Sequence, residues 1–143
     1  MQNLLGRTLE LVAPDRAQVV RLLAALARNL ADAQLQGLSA ENRFDAAYKS
    51  IMQLAMLALH AHGYRPRTSV PGHHQTAIQC LTLTINLPPA TVRLLDALRK
   101  QRNLSDYSGD LVPESAVVDC VAAAGDLQRQ LREWLGRERP ELL

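Results

Sequence analysis

Between positions 44 and 62 the chain reads FDAAYKSIMQLAMLALHAH, which offers apolar side chains in nearly every direction around a helix. Its polar residues Asp45, Lys49, Gln53 and His60 follow one another at i+4 and i+7 intervals, so they form a single narrow stripe. Such a helix cannot rest one face on a neighbour and show the rest to water; it needs several packing partners. It is expected at the centre of a helical bundle, or there and at a dimer interface. Apolar residues make up 48% of the chain and aromatics only 3%, with leucine and alanine dominant. That composition suits closely packed helices better than sheets.

The chain's punctuation divides the remainder. Pro14 and Asp15 open a first helix with Val19, Leu22, Leu23, Leu26 and Leu30 on one face, and Gly37 closes it. Ser39 is placed to cap the second helix, which runs to about 62. After the loop GYRPRTSVPG comes a short helix over about 73–83. Pro88 and Pro89 start a fourth, expected to end near Arg102, and 103–113 reads as a polar loop. A last helix spans about 114–135, with Val117, Cys120, Val121, Ala124, Leu127, Leu131 and Trp134 on one side. The tail GRERPELL reads as frayed, and no segment reads as a strand. The expectation is an all-α protein, one domain over 1–143, folded as an antiparallel bundle of four to five helices.

Charge and cysteines narrow the function classes. A formal net charge of +2 gives no bulk attraction to nucleic acid, so an anionic partner must find a local patch. Arg7 and Glu10 interrupt the N-terminal apolar residues, and no apolar run approaches the roughly 20 residues of a membrane span. Two cysteines without CxxC spacing suggest buried thiols in a reducing cytoplasm. His60-x-His62 and His73-His74 do not match a zinc-ligand spacing, so neither metal nor cofactor is expected. No glycine-rich phosphate loop, nucleophile elbow or paired-carboxylate motif is present.

One charge stands out. On a helical wheel, Leu94, Leu95 and Leu98 set the apolar direction of the fourth helix, and Arg102 falls about 33° from its centre. Arg99 and Lys100 point farther away. In the short helix Ala77, Ile78 and Leu81 set the apolar side, and His74 lies almost on it while His73 lies off it. The short proline turn should make these helices antiparallel neighbours. His74 and Arg102 would then share a level roughly 16–20 Å from the turn. His60, His62, Arg65, Arg67 and the 103–113 loop are expected at the same end.

RNLSDY, following a leucine-rich helix and preceding an amphipathic one, resembles the signature of HEPN domains. The resemblance extends over roughly residues 44–136, notably AYKSIMQLAMLALHAHGYRPRTSVPGHH, with the N-terminal helix at about 15–36 packing on that core. It implies a small helical bundle, a homodimer, and RNA or a nucleotide as ligand. Many members are metal-independent ribonucleases, often toxins beside an antitoxin or nucleotidyltransferase; others are binding or dimerisation modules. The arginine of the family's R-x(4–6)-H motif maps onto Arg102 and the polar residue after it onto Asn103. Where the motif histidine would stand, this chain has Tyr107, Ser108 and Gly109.

Metal-free RNA cleavage requires a base for the 2′-hydroxyl, an acid for the leaving oxygen and a cation for the phosphorane charge. Arg102 supplies a fork suited to phosphate. His74 is the inward-facing imidazole that could replace the motif histidine, and Tyr107 could donate a proton or hydrogen bond. Arg65, Arg67 and His73 are the candidate phosphate contacts. Against this stands a structural reading: Arg102 caps its helix or pairs with Asp45 or Asp106, Asn103 ends the helix, and Tyr107 plugs the loop. Binding of RNA or a nucleotide without catalysis lies between the two.

Overall fold

The computed structural model describes residues 1–143 except Asp110; of Asp106 and Tyr107 it describes the backbone alone. The chain is an all-α helical bundle with one small β-ribbon. Its elements are β1 (Leu9–Leu11), α1 (Arg16–Asp32), α2 (Ala40–Ala61), β2 (Tyr64–Pro66), α3 (His73–Gln79), α4 (Leu81–Thr84), α5 (Pro89–Ser108) and α6 (Glu114–Glu138). Helix α2 is the central element, packed by α1, α3, α4, α5 and α6. Phe44, Tyr48, Ile51, Leu54, Leu57 and Leu59 are buried along it. Ser50 enters that core because its hydroxyl donates to the carbonyls of Ala46 and Leu26.

The predicted caps are in place. Asp15 accepts from the Ala17 amide and Ser39 from the Asn42 amide, each holding an otherwise unpaired N–H of a first turn. The tail is not frayed: Leu142 is buried, Arg139 donates to the Ala61 carbonyl, and Arg16 to that of Leu143. Both cysteines are free and buried, and burial together with the nearby Asp45 carboxylate pushes the Cys120 thiol up to about 12. Among the described residues no helix is long and apolar enough to cross a membrane.

Three expectations about the chain's path need correction. The first concerns strands. Tyr64–Pro66 pairs antiparallel with Leu9–Leu11, Arg65 standing opposite Glu10. At roughly 3.3 Å per residue, the extended ribbon and following loop carry the chain back along α2 before α3 begins. Consequently α3 and α4 run in the same direction as α2, from His74 beside Tyr48 to Thr84 beside His62. The long helices α1, α2, α5 and α6 alternate in direction, as expected.

The second correction follows from the first. The four histidines are not gathered at one end. His60 and His62 lie at the C-terminal end of α2, about 18 Å or more along the helix from Tyr48. There His60 Nε2 accepts from the Asp15 amide at 2.9 Å. His62 Nε2 donates to the Thr84 carbonyl at 2.8 Å, its ring packed on Trp134. Both are spent on joining helix ends.

The third concerns α5, which continues past Arg102 to Ser108. It closes at Gly109, whose φ of 72° suits a residue without a Cβ. Asn103 is therefore a helical residue and not a terminator. The buried face of α5 is set by Leu95, 0% exposed, and Leu98, while Leu94 is 50% exposed. Leu95→Ala should therefore cost about 2–5 kcal/mol of stability, and Leu94→Ala under about 0.5 kcal/mol, in urea unfolding.

Candidate functional site

The N-terminal half of α2, the first turn of α3 and the last third of α5 meet at a cavity of about 530 Å³. Asp45, Tyr48, Lys49, Gln53, His74 and Arg102 are among its lining residues. Helix α2 supplies four of these, and Asp45, Lys49 and Gln53 among them stand at i, i+4 and i+8, the stripe legible in its sequence. Gly72, at φ 82°, turns the chain into α3 so that His73 and His74 stand at its first turn. Arg102 extends the inward line of Leu95 and Leu98 by one further helical turn.

Tyr48 is the hinge of the arrangement. Its hydroxyl lies 3.5 Å from His74 Nδ1, and the Arg102 guanidinium carbon sits over its ring, 5.3 Å from the centroid. That separation is within the range of a cation–π attraction. Arg102 Nε also stands 3.6 Å from Asp45 Oδ1, so the cation is held between a carboxylate and an aromatic face. The ring of His73 meets that of His74 edge-on at a centroid distance of 4.6 Å. Burial pushes the Tyr48 phenol up to about 12, partly opposed by Arg102 and Arg99. It keeps its proton at neutral pH.

His74 is shifted the other way. Burial, then His73, Arg102 and Arg99, hold its imidazole below the usual 6.5, so it is neutral at physiological pH. An uncharged imidazole beside a fixed guanidinium can accept a proton and bind an anion in one place.

The remaining sequence candidates are placed as follows. Asn103 lines a different cavity, with Lys100, Leu104 and Ser108. The Tyr107 side chain lies outside the described residues. Arg65 and Arg67 are on or beside the ribbon, Arg65 bound to Glu10 at 2.7 Å and Arg67 to the Gly6 carbonyl. Neither reaches the Arg102 cavity. Two residues of the site escaped the sequence reading. Tyr48 reads in the sequence only as part of an apolar helix, although it carries the one phenol in that run. Arg99 was expected to point away, yet its side chain is 15% exposed against 32% for Arg102. Its Nε donates to Asp96 at 2.8 Å, which holds the Asp96 carboxyl below the ordinary carboxylate value. Among the described residues no group of three or more His, Cys, Asp or Glu side chains could hold a metal ion.

Because folding lowers its proton affinity, His74 subtracts stability as pH falls through its unfolded value near 6.5, and the full penalty remains below the folded value. An NMR titration should place the His74 midpoint below that value. Arg102→Gln should move it upward, and an unmoved midpoint would remove Arg102 from its electrostatic environment. Searches against known proteins found no matching family model, no matching curated protein and no matching solved structure.

Proposed function

We propose that the protein is a HEPN-like module that binds RNA or a nucleotide in the Arg102 cavity, where it can act as a metal-independent endoribonuclease. One observation carries the reading: a neutral imidazole and a guanidinium, both held by Tyr48, line the same cavity. With His74 Nδ1–H donating to the Tyr48 oxygen, the Nε2 lone pair is the base that takes the 2′-hydroxyl proton. The 2′-oxygen attacks phosphorus, Arg102 neutralises the charge gathering on the phosphoryl oxygens, and the 5′-oxygen leaves. His73, beside His74, is the candidate to protonate that oxygen. The products are a 2′,3′-cyclic phosphate and a 5′-hydroxyl. His74 here takes over the work of the family's missing motif histidine.

A second reading has its own support. Arg102 already has Asp45 and Tyr48 for company, an arrangement equally suited to a structural cation in a module that binds or dimerises without chemistry. The resemblance further suggests a homodimer, a cytoplasmic, toxin-like setting and an antitoxin or nucleotidyltransferase partner. These too are proposals.

Incubating single-stranded and structured RNA with the protein in EDTA decides between the readings. Cleavage to cyclic-phosphate ends, reduced at least about 100-fold by Arg102→Ala and by His74→Ala, is expected of the enzyme. RNA binding without cleavage at high protein concentration leaves the noncatalytic module. Cleavage unchanged in both variants overturns the site.

A further inference from the structure

The cavity extends beyond its charged end. One turn along α2 from Lys49, roughly 6 Å, its wall is formed by Gln53 and, on one flank of it, by Met52 and Met56, an i, i+4 pair. Gln53 is not free to turn. Its Oε1 accepts a hydrogen bond from Asn29 Nδ2 of α1 at 2.8 Å, in a partly buried position. The amide plane is thereby fixed by a neighbouring helix, which leaves the Nε2 hydrogens as the donors Gln53 can offer a ligand in the cavity it lines. The two methionines give a polarisable apolar surface on which a flat ring can rest, and the amide donors would meet the ring's edge.

Resting on the reading of the Arg102 end as a nucleotide or RNA site, we infer that Gln53, oriented by Asn29, forms a nucleobase subsite. It selects bases carrying a keto oxygen at the purine 6 or pyrimidine 4 position, guanine and uracil, over adenine and cytosine. A glutamine that reads adenine engages the base's amino group with its oxygen and the ring nitrogen with its NH2. Here the bond from Asn29 takes one lone pair of the oxygen and turns that atom toward α1, so the NH2 is the group left to meet a base. The NH2 finds an acceptor in O6 of guanine or O4 of uracil, whereas the amino groups of adenine and cytosine present a donor to a donor. The distance along α2 from the Arg102–Lys49 end to Gln53 suits one nucleotide lying with its phosphate on the cations and its base on the amide. A volume of about 530 Å³ is within the ordinary range for such ligands.

The experiment is equilibrium binding of 5′-UMP, 5′-GMP, 5′-CMP, 5′-AMP and ribose 5-phosphate. It uses the wild-type chain, Gln53→Glu, Asn29→Ala and Arg102→Ala, with melting curves to establish that each variant is folded. UMP and GMP should bind roughly three- to tenfold more tightly than CMP and AMP, the worth of one hydrogen bond. Gln53→Glu, which can still accept from Asn29 but offers no NH2, should abolish that preference. Asn29→Ala, which frees the amide to turn, should narrow it by strengthening AMP and CMP. Equal binding of the four nucleotides, or a preference that survives Gln53→Glu, overturns the base subsite while Arg102-dependent binding stands. If neither nucleotides nor ribose 5-phosphate bind the wild type, the assignment of the cavity itself falls and the subsite with it.

Discussion

Everything in this fold is arranged around a helix that has almost no surface to give to water. Helix α2 is covered by five other helices, and the one strip left uncovered carries its polar side chains. A strip of that kind is bounded on both sides by packed neighbours, so it becomes the floor of a groove and not a convex face. The two larger cavities along it share Met56, one reaching toward Asp45 and Arg102 and the other toward His60 and Arg65. The location of the candidate site thus follows from packing before any chemistry is considered.

Within that groove, desolvation and charge act on different groups in opposite directions. Burial raises the Tyr48 phenol and lowers the His74 imidazole, so both favour their uncharged forms. Arg102 stays charged, and its positive charge works against protonation of His74. The result is a guanidinium beside two neutral groups, a phenol that keeps its proton and an imidazole able to take one up. Asp45, a half-exposed member of the cavity lining, offsets the cation.

Much of the architecture could be read from the chain because it rests on local signals. Asp15 and Ser39 cap, Pro88 and Pro89 initiate, and leucine periodicity marks the buried faces. The inward aim of Arg102 was equally local, a matter of helical phase. What escaped had one distant cause and two local ones that the apolar pattern does not show. The ribbon depends on a partner far away in sequence, and a three-residue segment containing Pro66 carries little strand signal. The extension of α5 through Asn103 and Ser105 runs against their modest helix preference and is completed by Gly109. Arg99 pairs with Asp96 three residues earlier, a local i, i+3 contact that a wheel drawn from the leucines alone passes over. His74 and Arg102 do line one cavity, because α3 and α5 pack as antiparallel neighbours across the turn at Pro88 and Pro89, as the sequence implied. What differs is the direction of α3 relative to α2, set by the backward travel of residues 62–72, which leaves His60 and His62 at the other end.

That backward travel makes the connection a measuring device. No atom of β2 lines the Arg102 cavity, yet the length of this segment decides which residue of α3 arrives opposite Tyr48. Pairing with β1 pins its register, and in a strand a slip of one residue exchanges the two faces. Loops between helices ordinarily absorb insertions and deletions without consequence. Here a change of one residue between Gly63 and Gly72 would present a different side chain to Tyr48 while every helix remained intact. The segment is a surface connection by position and, by length, a determinant of which side chains line the Arg102 cavity.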